Sequence, residues 1–313
     1  MEYRNLGNSG LKVSAVGLGC NNFGMRCDAE QTRAVVNKAL DEGITLFDTA
    51  DIYGNRGGSE ELLGKALGDR RREIIVATKF GMAMGDGPYL HGGSYRYVIA
   101  AAEASLKRLG TDYIDLYQIH QPDPETPQHE TLEALNDLVR AGKVRYIGHS
   151  NFAAWQAVDA HWISRNRGLA SYVSAQNQYN LLDRRIEREL VPACREFGVG
   201  ILPYFPLASG FLTGKYKRGA EPPKGTRLAM MQRMAKQALT DENFATLEAL
   251  EKFASSREHT ILELAVGWLA SQPQVSSVIS GATSPEQVTQ NVKAGNWKLS
   301  AEELAEVDKL TRR

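Results

Sequence analysis

Four side chains in the N-terminal half of this sequence have the types needed to pass a proton to a carbonyl oxygen: Asp48, Tyr53, Lys79 and His120. A free phenol has a pKa of about 10. A nearby ammonium favours the phenolate and lowers that value. A carboxylate beside the ammonium would hold it in place, and an imidazole N–H could orient a carbonyl oxygen. Together the four suit addition of hydride to a carbonyl, with Tyr53 supplying the proton. No side chain carries hydride, so this chemistry requires a nicotinamide cofactor. Each residue alone has an ordinary reading. Aspartates end strands because they stabilise turns, a lysine after a strand is usually solvated, a histidine there is a structural donor, and a lone tyrosine packs.

The grouping depends on the elements that carry these residues. The stretch Ile44–Tyr53 begins as an apolar strand and delivers Asp48, Asp51 and Tyr53 into a loop. Lys79 closes the apolar run 74–79, and His120 closes 113–120. Further strands are expected at 15–19, 144–148, 173–176, 199–204 and 277–279. Helical spacing is expected near 28–42, 58–68, 94–109, 129–141, 152–166, 184–197, 241–256 and 260–271, with one helix from 285 and a last one at 299–310. Asp28 with Gln31 three residues on is a capping box, and Asn8-Ser9-Gly10 between short runs within 3–12 reads as a hairpin.

Eight strand signals alternating with helices imply parallel strands with helical crossovers. Their number and the chain length favour a single (β/α)8 barrel over residues 1–313, with an N-terminal β-hairpin and an extra C-terminal helix. A doubly wound open sheet is the runner-up, although Gly-Leu-Gly-Cys-Asn-Asn after the first strand is not its glycine fingerprint. In a barrel the site lies at the carboxyl ends of the strands. That adds Ser150 and Asn151 after the fifth strand, Gln176 after the sixth and Tyr204 after the seventh to the four residues above. The segment 208–239, with Pro222-Pro223 and Gly225, reads as a mobile loop over the site.

Composition narrows the class. Of 313 residues, 42% are hydrophobic and 24% charged, as in an ordinary globular protein. Formal net charge is zero, so no global field favours nucleic acid or an anionic membrane. Cys20, Cys27 and Cys194 have no metal-ligand spacing and suggest reduced thiols. No metal constellation is visible, the N-terminus lacks a signal pattern, and no run is long enough for a membrane span. The expected location is the cytoplasm.

The sequence resembles the aldo-keto reductase superfamily, in the bacterial branches that also resemble potassium-channel β subunits. The resemblance is carried by Phe47-Asp48-Thr49-Ala50-Asp51-Ile52-Tyr53-Gly54 with Ser59-Glu60, by the strand ending in Lys79, by Asp115-Leu116-Tyr117-Gln118-Ile119-His120, and by Gly142 to Phe152. It implies a (β/α)8 barrel, use of NADPH, and the tetrad Asp48, Tyr53, Lys79 and His120 with Tyr53 as acid and base. It further implies that Ser150, Asn151 and Gln176 bond the carboxamide and that Tyr204 stacks on the nicotinamide. Cys20, Asn21 and Asp48 also stand among the cofactor contacts it implies. Phe205, Pro206, Leu207, Ala208, Gly210 and Lys215 fall in or beside its pyrophosphate loop. Gly281, Thr283, Gln287, Gln290 and Asn291 fall in its adenosine-phosphate segment, where a helix N-terminus favours phosphate.

Two departures matter. Many NADPH users in this superfamily carry Arg or Lys where Thr283 or Ser284 stands, so NADH has room here. The residue after Tyr204 is commonly Ser and is Phe205. Phe23, Phe80 and Tyr89 are candidates for an apolar substrate wall, with Tyr53 and His120 also facing substrate. The leading expectation is an NADPH-dependent carbonyl reductase acting on a small-molecule carbonyl. Its rivals are an NAD-dependent alcohol, sugar or pyridoxal-type dehydrogenase and a cofactor-binding redox sensor. A homo-oligomer is compatible with all three.

Overall fold

A computed structural model describes residues 1–311. The chain opens with a hairpin, β1 (Tyr3–Asn5) antiparallel to β2 (Lys12–Ser14). Then come β3 (Val16–Gly19), α1 (Ala29–Asp41), β4 (Leu46–Asp48), α2 (Tyr53–Leu67), β5 (Ile75–Phe80), α3 (Tyr95–Leu109) and β6 (Ile114–Ile119). They are followed by α4 (Gln128–Arg140), β7 (Val144–Ser150), α5 (Ala154–Arg167), β8 (Tyr172–Gln176), α6 (Leu190–Phe197) and β9 (Gly200–Ile201). The last part holds α7 (Arg227–Met230), α8 (Gln232–Ala238), α9 (Asp241–Ser255), α10 (Ile261–Ala270), β10 (Val278–Gly281), α11 (Pro285–Ala294) and α12 (Ala301–Thr311).

Strands β3 to β10 form one parallel sheet in the order β10-β3-β4-β5-β6-β7-β8-β9. Its two ends meet. Ile201 N donates to Gln274 O at 2.8 Å, Ser276 N to Ile201 O at 3.0 Å and Ile279 N to Pro203 O at 3.0 Å. The result is the expected (β/α)8 barrel. Both β5 and β6 are buried along their whole length, as parallel strands covered on both faces require.

Alternation along each strand sorts side chains into two layers. In β5, Ile75 and Ala77 face a small inner core with Leu46, Leu116, Leu202 and Ile279, while Val76 and Phe80 join the outer core under the helices. Leu6 and Val13 of the hairpin complete the inner core. Because Leu46 and Ile75 begin their strands, the hairpin plugs the amino-terminal mouth. The opposite mouth is left to the loops after the strands.

The helices follow local chemistry. Asp28 Oδ1 accepts from Gln31 N at 2.9 Å while Gln31 Oε1 accepts from Asp28 N at 3.1 Å, the capping box read from the sequence. The segment 208–239 is not bare loop. It holds a short 3-10 turn at Ala208–Thr213 and the helices α7 and α8. The seventh strand is only Gly200–Ile201, shorter than the expected 199–204, because Pro203 interrupts the ladder. No helix among the described residues is long and apolar enough to cross a membrane.

Candidate active site

Inward-facing polar residues form a layer at the carboxyl ends of the strands. Lys79 Nζ donates to Asp48 Oδ2 at 2.7 Å and to Thr49 O at 2.9 Å. Asp48 Oδ1 accepts from Gln176 Nε2 at 2.8 Å and from Gln118 Nε2 at 3.4 Å. The Lys79 side chain is fully buried, so its charge is solvated by protein groups. Its ammonium lies 5.1 Å from the centre of the Tyr53 ring, and the His120 ring meets Tyr53 edge-on at 5.6 Å. Asp48, Tyr53 and His120 line one cavity, and Lys79 lies beneath it.

Tyr53 is held by its own loop. Thr49 Oγ1 and Ser59 Oγ are 2.8 Å apart, and Ser59 Oγ donates to Cys20 O at 2.8 Å. Gly54, Asn55, Arg56 and Gly57 all have positive φ, at 66°, 62°, 67° and 116°. Regular right-handed turns of α2 therefore begin only after Gly57, close to the start expected from the sequence. A Cβ on Gly54 would meet Ser59 N at 2.4 Å, so this turn accepts only glycine there.

Electrostatics set the protonation states. Burial pushes the Tyr53 phenol above its ordinary value, and the pull of Lys79 toward phenolate does not overcome it. The sign is thus opposite to the lowering expected from the ammonium alone. Burial also works against the Lys79 charge, but Asp48 and Tyr53 outweigh it and hold the ammonium charged. Burial, with Lys79 nearby, drops His120 to about 3, so the imidazole is neutral at physiological pH. Its Nδ1 is buried without a partner among the described residues.

The expected carboxamide contacts already hold one another. Ser150 Oγ donates to Gln176 O at 2.8 Å, and Asn151 Nδ2 donates to His120 O at 2.9 Å and to Ser150 Oγ at 3.1 Å. Tyr204 OH donates to Asn151 Oδ1 at 2.7 Å. Asn151 takes a left-handed φ of 61°, which asparagine tolerates better than most residues. Gln176 Oε1 has no hydrogen-bond partner among the described residues, so it remains free to accept from an amide.

The cavity has a volume of about 1010 Å³ and extends from Tyr53 and His120 past Tyr204 to Thr283, Gln287, Gln290 and Asn291. Asn21, Ser150, Asn151, Gln176, Phe205, Pro206, Leu207, Gly210, Lys215 and Gly281 also line it. Its donor set fits a dinucleotide: amides beside the tetrad, an aromatic ring next to them, then a lysine, then hydroxyls and amides at the far end. Ala208, Ser209 and Gly210 have φ of 46°, 60° and 88°, a strained run beside the cavity wall.

Several expectations are corrected. Phe23 and Phe80 are fully buried in the outer core and do not line the cavity. Phe80 is one position from Lys79, so alternation turns it to the outer face of β5, against Tyr117 at 4.8 Å. Tyr89 is exposed and also off the cavity. The Cys20 side chain is buried behind the wall, and Ala208 is not on the lining although Leu207, Ser209 and Gly210 are.

The sequence reading missed Gln118, which strand parity from Leu116 could have found. It also missed Arg26, Arg227, Glu263 and Lys293, which line the cavity from segments that carry no recognisable spacing.

The family signature described as "Aldo/keto reductase family" matches residues 15–312. A rice (Oryza sativa subsp. japonica) protein named "Probable voltage-gated potassium channel subunit beta" is 37% identical over 94% of this chain and 91% of its own. The "L-glyceraldehyde 3-phosphate reductase" of Escherichia coli (strain K12) is 37% identical, covering 98% of this chain and 92% of its own. The "Versiconal hemiacetal acetate reductase" of Aspergillus parasiticus is 34% identical, covering 97% and 95%.

Proposed function

The chain belongs to the aldo/keto reductase family and is an NAD(P)H-dependent oxidoreductase; from that premise we propose that it reduces aldehydes or ketones to alcohols with NADPH, reversibly, and that Tyr53 is the proton donor. The observation that carries this reading is the buried Lys79–Asp48 pair at 2.7 Å, set beneath Tyr53 and His120 in one cavity. The cofactor, when bound, supplies hydride to the carbonyl carbon. Ser150, Asn151 and Gln176 would hold its amide, Tyr204 would offer a ring face, and Leu207, Ser209, Gly210 and Lys215 would meet the pyrophosphate.

Tyr53 gives its proton to the carbonyl oxygen. Its raised pKa keeps the phenol loaded at neutral pH, which suits an acid in the reduction direction. Lys79 stabilises the phenolate that forms, and Asp48 keeps the ammonium in place. The neutral His120 ring can donate its one N–H to the carbonyl oxygen. Replacing Tyr53 with Phe should lower turnover by roughly 10²–10⁴-fold and leave the NADPH dissociation constant within about twofold of the wild type, a change of about 0.4 kcal/mol. Turnover of aldehydes within tenfold of the wild type would remove Tyr53 from this role.

A second reading, an NAD-dependent dehydrogenase, has two structural supports. The adenosine end of the cavity carries the Glu263 carboxylate, which is 3.3 Å from Lys293, the cation on that wall. Thr283 spends its hydroxyl on Gln287 Oε1 at 3.2 Å. Initial rates with NADPH and NADH at equal concentration separate the two readings.

A further inference from the structure

Beneath the Tyr53 loop lies a buried carboxyl that the hydride chemistry does not use. Asp51 stands two residues before Tyr53 and is 1% exposed. Its backbone N donates to Lys79 O at 3.1 Å. At the next position of β5, Phe80 O accepts from His120 N at 2.8 Å. The end of β5 therefore carries Lys79 and anchors the segments that carry Tyr53 and His120.

The Asp51 side chain is off the cavity and meets Tyr97 of α3, which is buried as well. The Tyr97 hydroxyl has one hydrogen and two acceptors. Asp51 Oδ2 is 3.4 Å away, and Met82 O, two residues past the end of β5, is 3.5 Å away. Ordinary O–H···O bonds are about 2.7–2.8 Å long, so neither contact is closed. The proton on Asp51 decides between them. A charged carboxylate attracts the phenolic hydrogen, because a charge-assisted bond is about twice as strong as a neutral one. A protonated carboxyl gives its own hydrogen to the phenolic oxygen and leaves the phenolic hydrogen for Met82 O.

The surroundings keep both forms within reach. Glu60 of α2 is held by Arg108 of α3 at 2.6 Å, so the two charges largely answer each other. Lys79 spends its ammonium on Asp48, on the inner side of β5. Tyr117 of β6 is buried, with its hydroxyl unpartnered among the described residues. Burial, with Glu60 adding to it, raises Asp51 to about 7, while Ile52 N, Arg108 and Tyr97 pull the other way.

We propose that Asp51 and Tyr97 are positioning residues that form a proton-operated latch: with Asp51 protonated, Tyr97 donates to Met82 O and ties the end of β5 to α3, and with Asp51 charged, Tyr97 turns to the carboxylate and releases Met82 O. The latch rests on the carbonyl-reductase reading above, since it acts by holding the strand end that carries Lys79 and anchors Tyr53 and His120.

The test follows benzaldehyde reduction at saturating NADPH between about pH 5.5 and 8.5 in the wild type, Asp51→Asn and Tyr97→Phe. In the wild type kcat/KM should fall by roughly three- to tenfold as pH rises through about 7, the scale of one neutral hydrogen bond. Tyr53 stays loaded throughout, its phenol being raised above its ordinary value. Asp51→Asn gives Tyr97 a permanent donor and should hold the low-pH rate across the range. Tyr97→Phe leaves Met82 O without that donor at any pH and should hold the lower rate across the range. A second readout does not need turnover. In protein labelled with carbon-13 at its methionine carbonyls, the Met82 resonance, assigned by its loss in Met82→Leu, should move with a midpoint near pH 7 in the wild type and stand still in both variants. A Met82 resonance that does not titrate, or that titrates equally in Asp51→Asn, overturns the latch and leaves the reductase reading intact. A moving resonance with a flat wild-type rate profile overturns it too, because the latch then fails to reach the site. Failure to reduce aldehydes at any pH despite tight NADPH binding sinks the reductase reading, and the Met82 resonance then decides the latch alone.

Discussion

Lys79 is the residue on which the site's charge balance turns. Its ammonium has three N–H donors, and Asp48 and Thr49 take two of them. The third is left on the side of Tyr53, where positive charge lowers the cost of a phenolate. Replacing Lys79 with Met removes that support and strands the buried carboxylate with only Gln176 and Gln118. Breaking a buried pair in this way costs about 3–5 kcal/mol. Lys79→Met should therefore lose both stability and roughly 10²–10⁴-fold in turnover. Adding Asp48→Asn removes the stranded charge, so denaturant titration of the double variant should recover much of the stability while turnover stays low. Recovery of turnover with stability would mean that Lys79 serves only the fold.

At the scale of elements, the barrel is closed at one end so that the other can be open. Gly7 shows how closely the hairpin is docked. Its φ is +56°, and a Cβ there would meet Gly198 O at 2.3 Å and Gly200 N at 2.6 Å. Both the left-handed backbone and the contact penalise a side chain, so Gly7→Ala should destabilise by about 2–4 kcal/mol. The site is at the far mouth, so KM for the aldehyde, measured well below the new Tm, should stay near the wild-type value. A large rise in KM would mean that the plug shapes the top of the barrel.

Much of this architecture was legible in the sequence. Apolar runs ending in Asp48, Lys79 and His120 gave the strands and their functional ends, because buried parallel strands leave continuous hydrophobic runs. Strand parity was also available, and Phe80 shows the cost of not applying it: one step from Lys79 is the opposite face. What the sequence could not give was the path of 208–239. Arg227 reaches the Phe205 ring and Arg26 reaches Gly225 through tertiary placement alone. The sign for Tyr53 was hidden for the same reason, since burial is a property of the folded chain.

The whole molecule should be most stable close to neutral pH, and three buried groups set that point. Asp51 is raised from an ordinary 3.8 to about 7 by burial, with Glu60 adding to the rise and Arg108 and Tyr97 opposing it. Its Oδ1 has no partner among the described residues, and Oδ2 accepts from Tyr97 OH at 3.4 Å. Between about pH 4 and 7 the folded state keeps a proton that the unfolded chain has released, so this contribution falls as pH rises through that window. His120 and His149 act in the opposite sense. Burial drops each from 6.5 to about 3, so the unfolded chain gains protons below 6.5 that the folded state refuses, and stability falls as pH falls. Two imidazoles outweigh one carboxyl below about pH 6, giving a net loss of roughly 1.4 kcal/mol per unit of acidification. From 6.5 to 7 only the Asp51 contribution remains, and the slope reverses before flattening. His161, lowered by burial, and Asp115, raised by burial, add to the two opposing trends. Asp51→Asn should abolish the falling branch. Urea titrations should find the variant's advantage over the wild type about 2–3 kcal/mol larger at pH 8 than at pH 5. An equal offset at both pH values would mean that Asp51 does not titrate in this range, and that the Tyr53 loop carries a charged rather than a neutral carboxyl beneath it at neutral pH.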